Sequence, residues 1–173
     1  ANMALNLDTS SNNTISYSTL TSNGAGASAL YFVTATSNTV TQSFISNPQG
    51  YAVFLNASNL NTISFSTVTS ASATNPAVNL AGSSSNTFSS SYLFNSASDA
   101  LILDNSPYNT VSLSTLVSNA AGAYALNIVV SSFNTVTQSF LDNPAGPVIN
   151  FNTSDNNTVS YSTITSNGTG ALT

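Results

Sequence analysis

The dipeptide Asn-Thr stands at Asn13, Asn38, Asn61, Asn86, Asn109, Asn134 and Asn157, at intervals of 25, 23, 25, 23, 25 and 23 residues. A fixed spacing in this range restricts a chain to stacked repeats, because one unit cannot bury its apolar face alone and must pack on its neighbours. The alternation of 25 and 23 makes the true period 48 residues.

The residues after each Asn are equally regular. Thr comes next in every copy (Thr14, Thr39, Thr62, Thr87, Thr110, Thr135, Thr158), then an apolar residue such as Ile15 or Val40, then Ser or Thr. Polar, apolar, polar is the period of two expected of a short strand with one inward side chain. Five residues past the Asn an unbroken Ser series runs from Ser18 to Ser162, and two further on a second apolar series runs from Leu20 to Ile164. Apolar positions five apart cannot share one face of a straight strand. A corner is therefore expected near Tyr17 and its equivalents, with the Ser turned inward as a small filler.

A third strand precedes each Asn. Pairs such as Leu5/Leu7, Leu30/Phe32 and Val53/Leu55 always place their first member eight residues before it. All length variation thus falls in one turn, with ten residues between apolar anchors from Leu20 to Leu30 and eight from Ile45 to Val53. That turn carries Asn-Gly-Ala-Gly, Asn-Pro-Gln-Gly or Asn-Pro-Ala-Gly, which are strand-breaking sequences.

Three short strands per lap, each lying on its equivalent in the next, predict an all-β parallel β-helix (β-solenoid). It has about seven coils of 23 or 25 residues and forms a single domain over 1–173. At ~4.8 Å per coil the rod is roughly 34 Å long. The recurring Asn is expected at a corner, where it tolerates left-handed backbone and its amide bonds to the next coil. A sandwich of antiparallel hairpins would not demand such strict register. The repeated Asn-Thr-(Ile/Val)-Ser-x-Ser-Thr-(Leu/Ile) resembles the right-handed parallel β-helix repeat proteins, the pectate-lyase-like and NosD-like group, over essentially the whole chain. The resemblance implies the hand of the helix but no single activity, since that group includes lyases, hydrolases, adhesins and passive surface proteins.

Composition narrows the function. Charged residues are 3% of the chain, with five Asp and no Lys, Arg or His, for a net charge of −5. Low charge with abundant Ser, Thr and Asn suits disorder, but 41% hydrophobic residues at recurring positions point to a packed core. Nucleic acid and anionic membrane surfaces are excluded as partners, because both are bound through Lys and Arg. The absence of Cys removes disulfides and thiolate metal sites. No apolar run approaches the ~20 residues of a membrane span. Ala1 is expected to be a processed start, and a chain without a tryptic site suits an extracellular or cell-surface location.

The only acids, Asp8, Asp99, Asp104, Asp142 and Asp155, do not converge in the pattern. General acid–base catalysis needs two groups within reach of one bond. Isolated, solvated acids are expected instead, with no catalytic residue, cofactor or metal site. No Asp-rich loop recurs to hold calcium.

The outward Thr array of the seven Asn-Thr copies, with a second hydroxyl ~7 Å along the strand, is similar to the faces of ice-binding solenoids. Against this, Ser replaces Thr at five of the seven second positions. Sequons at Asn12, Asn56, Asn152, Asn156 and Asn167 are candidate glycosylation sites.

The 48-residue alternation creates two apolar columns, Tyr17, Phe65, Leu113 and Tyr161 in odd coils and Phe44, Tyr92 and Phe140 in even ones. Facing outward they predict lateral contacts between rods; facing inward they fill a wider core. The end-stacking strands are marked by Leu5, Leu7, Ile164 and Leu172. A core strand begins within three residues of Ala1, and Ala171-Leu172 leads into the next, so head-to-tail pairing is expected to bury open strand edges and give a filament. Adjoining repeats of a longer chain would serve equally. The expected role is a structural, non-enzymatic segment of an extracellular fibre. Its rivals are an ice-binding protein and a carbohydrate-binding or adhesive module whose partners are glycans.

Overall fold

The computed structural model describes residues 2–168. The described chain winds through three parallel sheets of seven strands, each lap contributing one strand to each sheet. In the first coil these are Leu5–Asp8, Thr14–Ser16 and Thr19–Thr21. Register obeys the repeat: Leu5 pairs with Leu30 and Leu30 with Val53, while Thr14 pairs with Thr39 and Thr39 with Thr62. The parallel solenoid, its coil count and its three strands per coil are as the spacing predicts. A hairpin sandwich is ruled out by the parallel pairing.

Inward residues stack into columns of like side chains. Leu30, Val53, Val78, Leu101 and Leu126 form one such column and are wholly buried. The end coils lack a neighbour on one side, so Leu5, Ile15 and Leu20 are only partly covered and Phe151 and Ile164 are exposed.

Each coil bends at three single residues in the left-handed region. In the first coil they are Thr9, Asn12 and Tyr17, with φ of 49°, 61° and 49°. The equivalents in all seven coils do the same, and among them only Gly82 is glycine. The bend at Tyr17 lies where the odd spacing of apolar residues puts it. The recurring Asn itself is not the left-handed residue that the sequence pattern suggests. The residue before it takes that conformation (Asn12, Ser37, Leu60, Ser85, Tyr108, Phe133, Asn156).

The reason is hydrogen bonding. The bend residue still donates its N–H to the next coil, as Thr9 does to the Val33 carbonyl at 2.8 Å. The residue after it is turned away from any backbone acceptor there. A buried N–H cannot be left unpaired, so an inward side chain of the next coil accepts it. At the Asn corner, Asn38 N–H donates to Asn61 Oδ1 at 2.9 Å, Asn61 to Asn86 at 2.9 Å and Asn86 to Asn109 at 2.8 Å. At the Tyr17 corner the inward Ser residues do the same, Ser43 N–H donating to Ser66 Oγ at 3.1 Å. A third row, which the sequence pattern does not mark, runs through Ser58, Ser83, Ser106, Ser131 and Ser154, with Ser58 N–H on Ser83 Oγ at 2.9 Å. Ala35 interrupts that row.

The long turn carries a fourth buried series, Ser22, Asn47, Ser70, Asn95, Ser118 and Asn143, continued by Ser166. Here the 48-residue period has its physical cause. Ser precedes the longer turn and Asn the shorter. From the short turn, Asn47 Nδ2 reaches the long turn before it, donating to the Ala27 and Gly24 carbonyls at 2.8 and 3.2 Å. Asn143 repeats this with the Ala123 and Ala120 carbonyls at 2.7 and 3.1 Å. The shorter Ser70 hydroxyl suffices to reach the Gly50 carbonyl, at 2.8 Å.

Candidate functional site

Surfaces rather than a cleft carry the predicted residues. The seven-membered Asn row runs along one corner, with Asn38, Asn61, Asn86, Asn109 and Asn134 at most 2% exposed. Asn13 and Asn157 close it at the two end coils, where Asn13 donates to Asn38 Oδ1 and Asn157 Oδ1 accepts from Asn134. Of the end-stacking residues, Leu7 is buried, Leu5 half-buried and Ile164 exposed. Leu172 lies outside the described residues.

The Thr array is in register and faces outward, half-buried at Thr39, Thr62, Thr87, Thr110 and Thr135 and exposed at Thr14 and Thr158. Hydroxyls in the neighbouring column bond to one another, Ser64 Oγ to Thr41 Oγ1 at 3.1 Å and Ser160 Oγ to Thr137 Oγ1 at 3.3 Å. Sequon residues Asn12, Asn152, Asn156 and Asn167 are exposed and Asn56 is half-buried.

Both apolar columns face outward, which removes the reading of them as core fillers. Tyr17 is 79% exposed, Phe65 65% and Tyr161 91%, with Leu113 similar; Phe44, Tyr92 and Phe140 are near 40%. Tyr92 lies against Phe94, ring centroids 6.0 Å apart, and burial raises its phenol above the ordinary value. Two further outward clusters leave no periodic trace in the sequence, because they break the repeat rather than obey it. Tyr108 and Phe133 occupy successive bend positions and stack at 5.2 Å. Tyr31, Tyr51 and Phe54 group at 5.0–5.2 Å beside a hollow of about 220 Å³ that Met3, Gly26, Ala27 and Ser28 complete.

Four of the five acids are placed much as expected. Asp8 and Asp104 occupy equivalent exposed positions four coils apart, Asp155 is exposed, and half-buried Asp142 accepts from Thr165 Oγ1 at 2.6 Å. Asp99 is the exception. It is only 8% exposed and accepts from the Tyr124 N–H and from Asn127 Nδ2. Desolvation raises its carboxyl above the ordinary value, and those two bonds oppose the shift. Among the described residues no group of three potential ligands is placed to hold a metal ion. No described helix is long and apolar enough to cross a membrane.

A family model described as "Right handed beta helix region" matches residues 28–173. The sequence matches no curated protein. Among solved structures the chain is similar to the A-module of the mannuronan C-5 epimerase AlgE6 from Azotobacter vinelandii, with a TM-score of 0.54 and 10% identity. The match covers 89% of this chain and 49% of that one, so the chain spans about half the length of the module. Identity this low shows a shared fold alone.

Proposed function

We propose, for a chain that belongs to the right-handed β-helix family, a structural role: a segment of an extracellular fibre or surface appendage built by stacking β-helix coils end to end. The observation that supports it is the character of the two end coils. Among the described residues each of the three sheets ends at both coils on a strand with no further neighbour: Leu5–Asp8, Thr14–Ser16 and Thr19–Thr21 at one end and Ile149–Asn152, Thr158–Ser160 and Thr163–Ser166 at the other. Those edges carry the same Asn row and apolar columns that join every interior pair of coils. A coil added before Asn13 would donate its N–H to Asn13 Oδ1, and one added after Asn157 would accept from it. Exposed edges of this kind template further strands.

In this reading the chain has no catalytic part, and its exposed acids serve solubility. A second reading, neutral-glycan binding, draws support from the hollow beside Tyr31, Tyr51 and Phe54, whose rings offer stacking faces. Microscopy of the purified protein tests the first reading: rods one coil wide should lengthen with concentration, without ligand. A monomeric population whose end strands exchange amide hydrogens as slowly as interior ones would overturn it. Binding on a neutral-glycan array that Tyr31→Ala and Phe54→Ala remove would favour the second.

A further inference from the structure

The outward apolar residues at the Tyr17 corner form a checkerboard. In odd coils the bend position is apolar and the residue two further on is Thr; in even coils the bend is Gln42, Ser90 or Gln138 and the residue two further on is aromatic. The residue between them is always the inward Ser. Two adjacent outward columns therefore alternate large and small side chains along all seven coils, out of step with each other.

We infer that this ridge is an interface with a second copy of the chain, the two rods lying side by side, parallel and in register. Three observations carry it. The first is size. At ~200 Å² per aromatic side chain, the exposed fractions leave about 800 Å² of apolar surface on the ridge, the per-partner area of a standard stable interface. That exceeds the ~300–600 Å² of the largest apolar patch on a typical monomer.

The second is shape. A two-fold axis along the rod exchanges the two columns within a coil. Tyr17 then meets the partner's Thr19, Phe44 meets the partner's Gln42, and every large side chain opposes a small or flexible one. An antiparallel pair in full register sets large on large, Tyr17 against Tyr161, and fits only after slipping one coil. The third is charge. Neither column contains an acid, and Asp142, one column further out, would face the partner's Thr137 rather than another carboxylate. In a chain of net charge −5 with no cation, this is where two copies meet without repulsion.

Lateral pairing does not depend on the end-to-end reading, and the test separates them. Sedimentation should show a species of twice 17.7 kDa. Replacing Tyr17, Phe65, Leu113 and Tyr161 together by Gln, which Gln42 and Gln138 show the bend accepts, should weaken pairing roughly a hundredfold with melting unchanged. The triple change Phe44→Thr, Tyr92→Thr, Phe140→Thr, using the residue of the odd coils, should do the same. Because the chain has no Cys, nitroxides on Thr19→Cys and, separately, Thr163→Cys report the orientation. Both should give short distances between copies, whereas an antiparallel pair slipped by one coil would hold one label about 24 Å and the other about 34 Å along the rod from its mate. A wild-type monomer at high concentration, pairing that survives both sets of substitutions, or long distances from both labels would overturn the proposal. End-to-end growth would instead continue beyond two copies and persist in the ridge variants.

Discussion

The single-residue corners and the long turn do the same work by opposite means. At a corner one residue adopts a left-handed conformation and the next offers an inward Asn or Ser to the preceding coil, so almost any side chain is accepted at the bend: Thr9, Ala57, Leu60, Tyr108, Val130 and Phe133 all stand there. Selection falls on the residue after the bend, which carries a hydrogen-bonding oxygen everywhere except at Ala35. Where a short turn stacks on a long one it falls on small residues. The backbone of a short turn lies directly on the long turn before it, and a side chain at Gly50 or Gly146 would run into the Ala27 or Ala121 carbonyl. Corners thus leave the outer surface free to vary, which is how an apolar ridge can be written on it without disturbing the core.

The largest expected effect is a break in the Asn row. Asn86 Oδ1 accepts from Asn61 N–H and Nδ2, and its own amide donates to the Ser58 and Ser84 carbonyls and to Asn109 Oδ1. Asn86→Ala leaves several buried groups unpaired at once, at roughly 3–5 kcal/mol in denaturant unfolding. Ser91→Ala, in the simpler row that offers one acceptor per residue, should cost less, about 1–2 kcal/mol. Equal losses would show that the amides are no more than space fillers.

Next comes the short turn where it lies on the long turn before it. At Gly146 an added Cβ would lie 2.5 Å from the Ala121 carbonyl oxygen and 3.0 Å from that of Ala120, both backbone atoms with little room to give. Gly146→Ala is expected to destabilise by about 1–3 kcal/mol. Ser98 occupies the matching place in the Asn95 turn, over a long turn that runs Ala71 to Pro76 without glycine. Ser98→Ala should therefore be nearly silent in the same thermal melt. A silent Gly146→Ala would mean that the stacked turns do not set their own spacing.

This contrast also explains what could be read from the letters alone. Strand number, register and core positions were legible because they repeat with one residue class at each place, as in Thr14, Thr39 and Thr62. The Tyr17 bend was legible because five is an odd number. The corner at the Asn row was legible too, though one residue late, because the row marks Asn13 while the bend itself, at Asn12, accepts any side chain; the bend at Thr9 leaves no such trace. The Ser58 row hid behind the interruption at Ala35. The alternation Ser22, Asn47, Ser70 is plain in the sequence, but its meaning needs the knowledge that one turn lies over another. Asp99 looked like any other acid because burial in a turn has no period.

Two stabilising substitutions sharpen the account of the corners. Ala35→Ser should complete the interrupted row, giving Ser10 N–H the acceptor its equivalents have and donating to the Val33 carbonyl as Ser58 does to Asn56. A gain of about 0.5–1.5 kcal/mol is expected. Val130 is branched at Cβ, solvent-exposed and left-handed at φ 49°, where the coil before it has Asn105 and an earlier one Gly82. Val130→Asn should relieve about 1 kcal/mol of backbone strain. Both gains would appear as higher melting temperatures; a loss at Ala35 would mean the core has closed over the gap.

The smallest effect concerns the one turn that buries a charge. Burial raises the Asp99 carboxyl above its value in the unfolded chain, so folding favours the protonated form. That contribution is fully present below the unfolded value near 3.8 and is lost as pH rises through the folded one. With no Lys, Arg or His there is no side-chain ion pair for acid to break. The melting temperature should therefore be higher at pH 3 than at pH 7, the reverse of ordinary acid denaturation. Asp99→Asn keeps an oxygen for the Tyr124 N–H while removing the charge, so it should flatten the profile and raise stability near neutrality. A wild-type melting temperature that climbs with pH, or a variant with an unchanged slope, would show that the turn at Asp99 opens enough to solvate its carboxylate. The short turns would then differ in rigidity as well as in sequence.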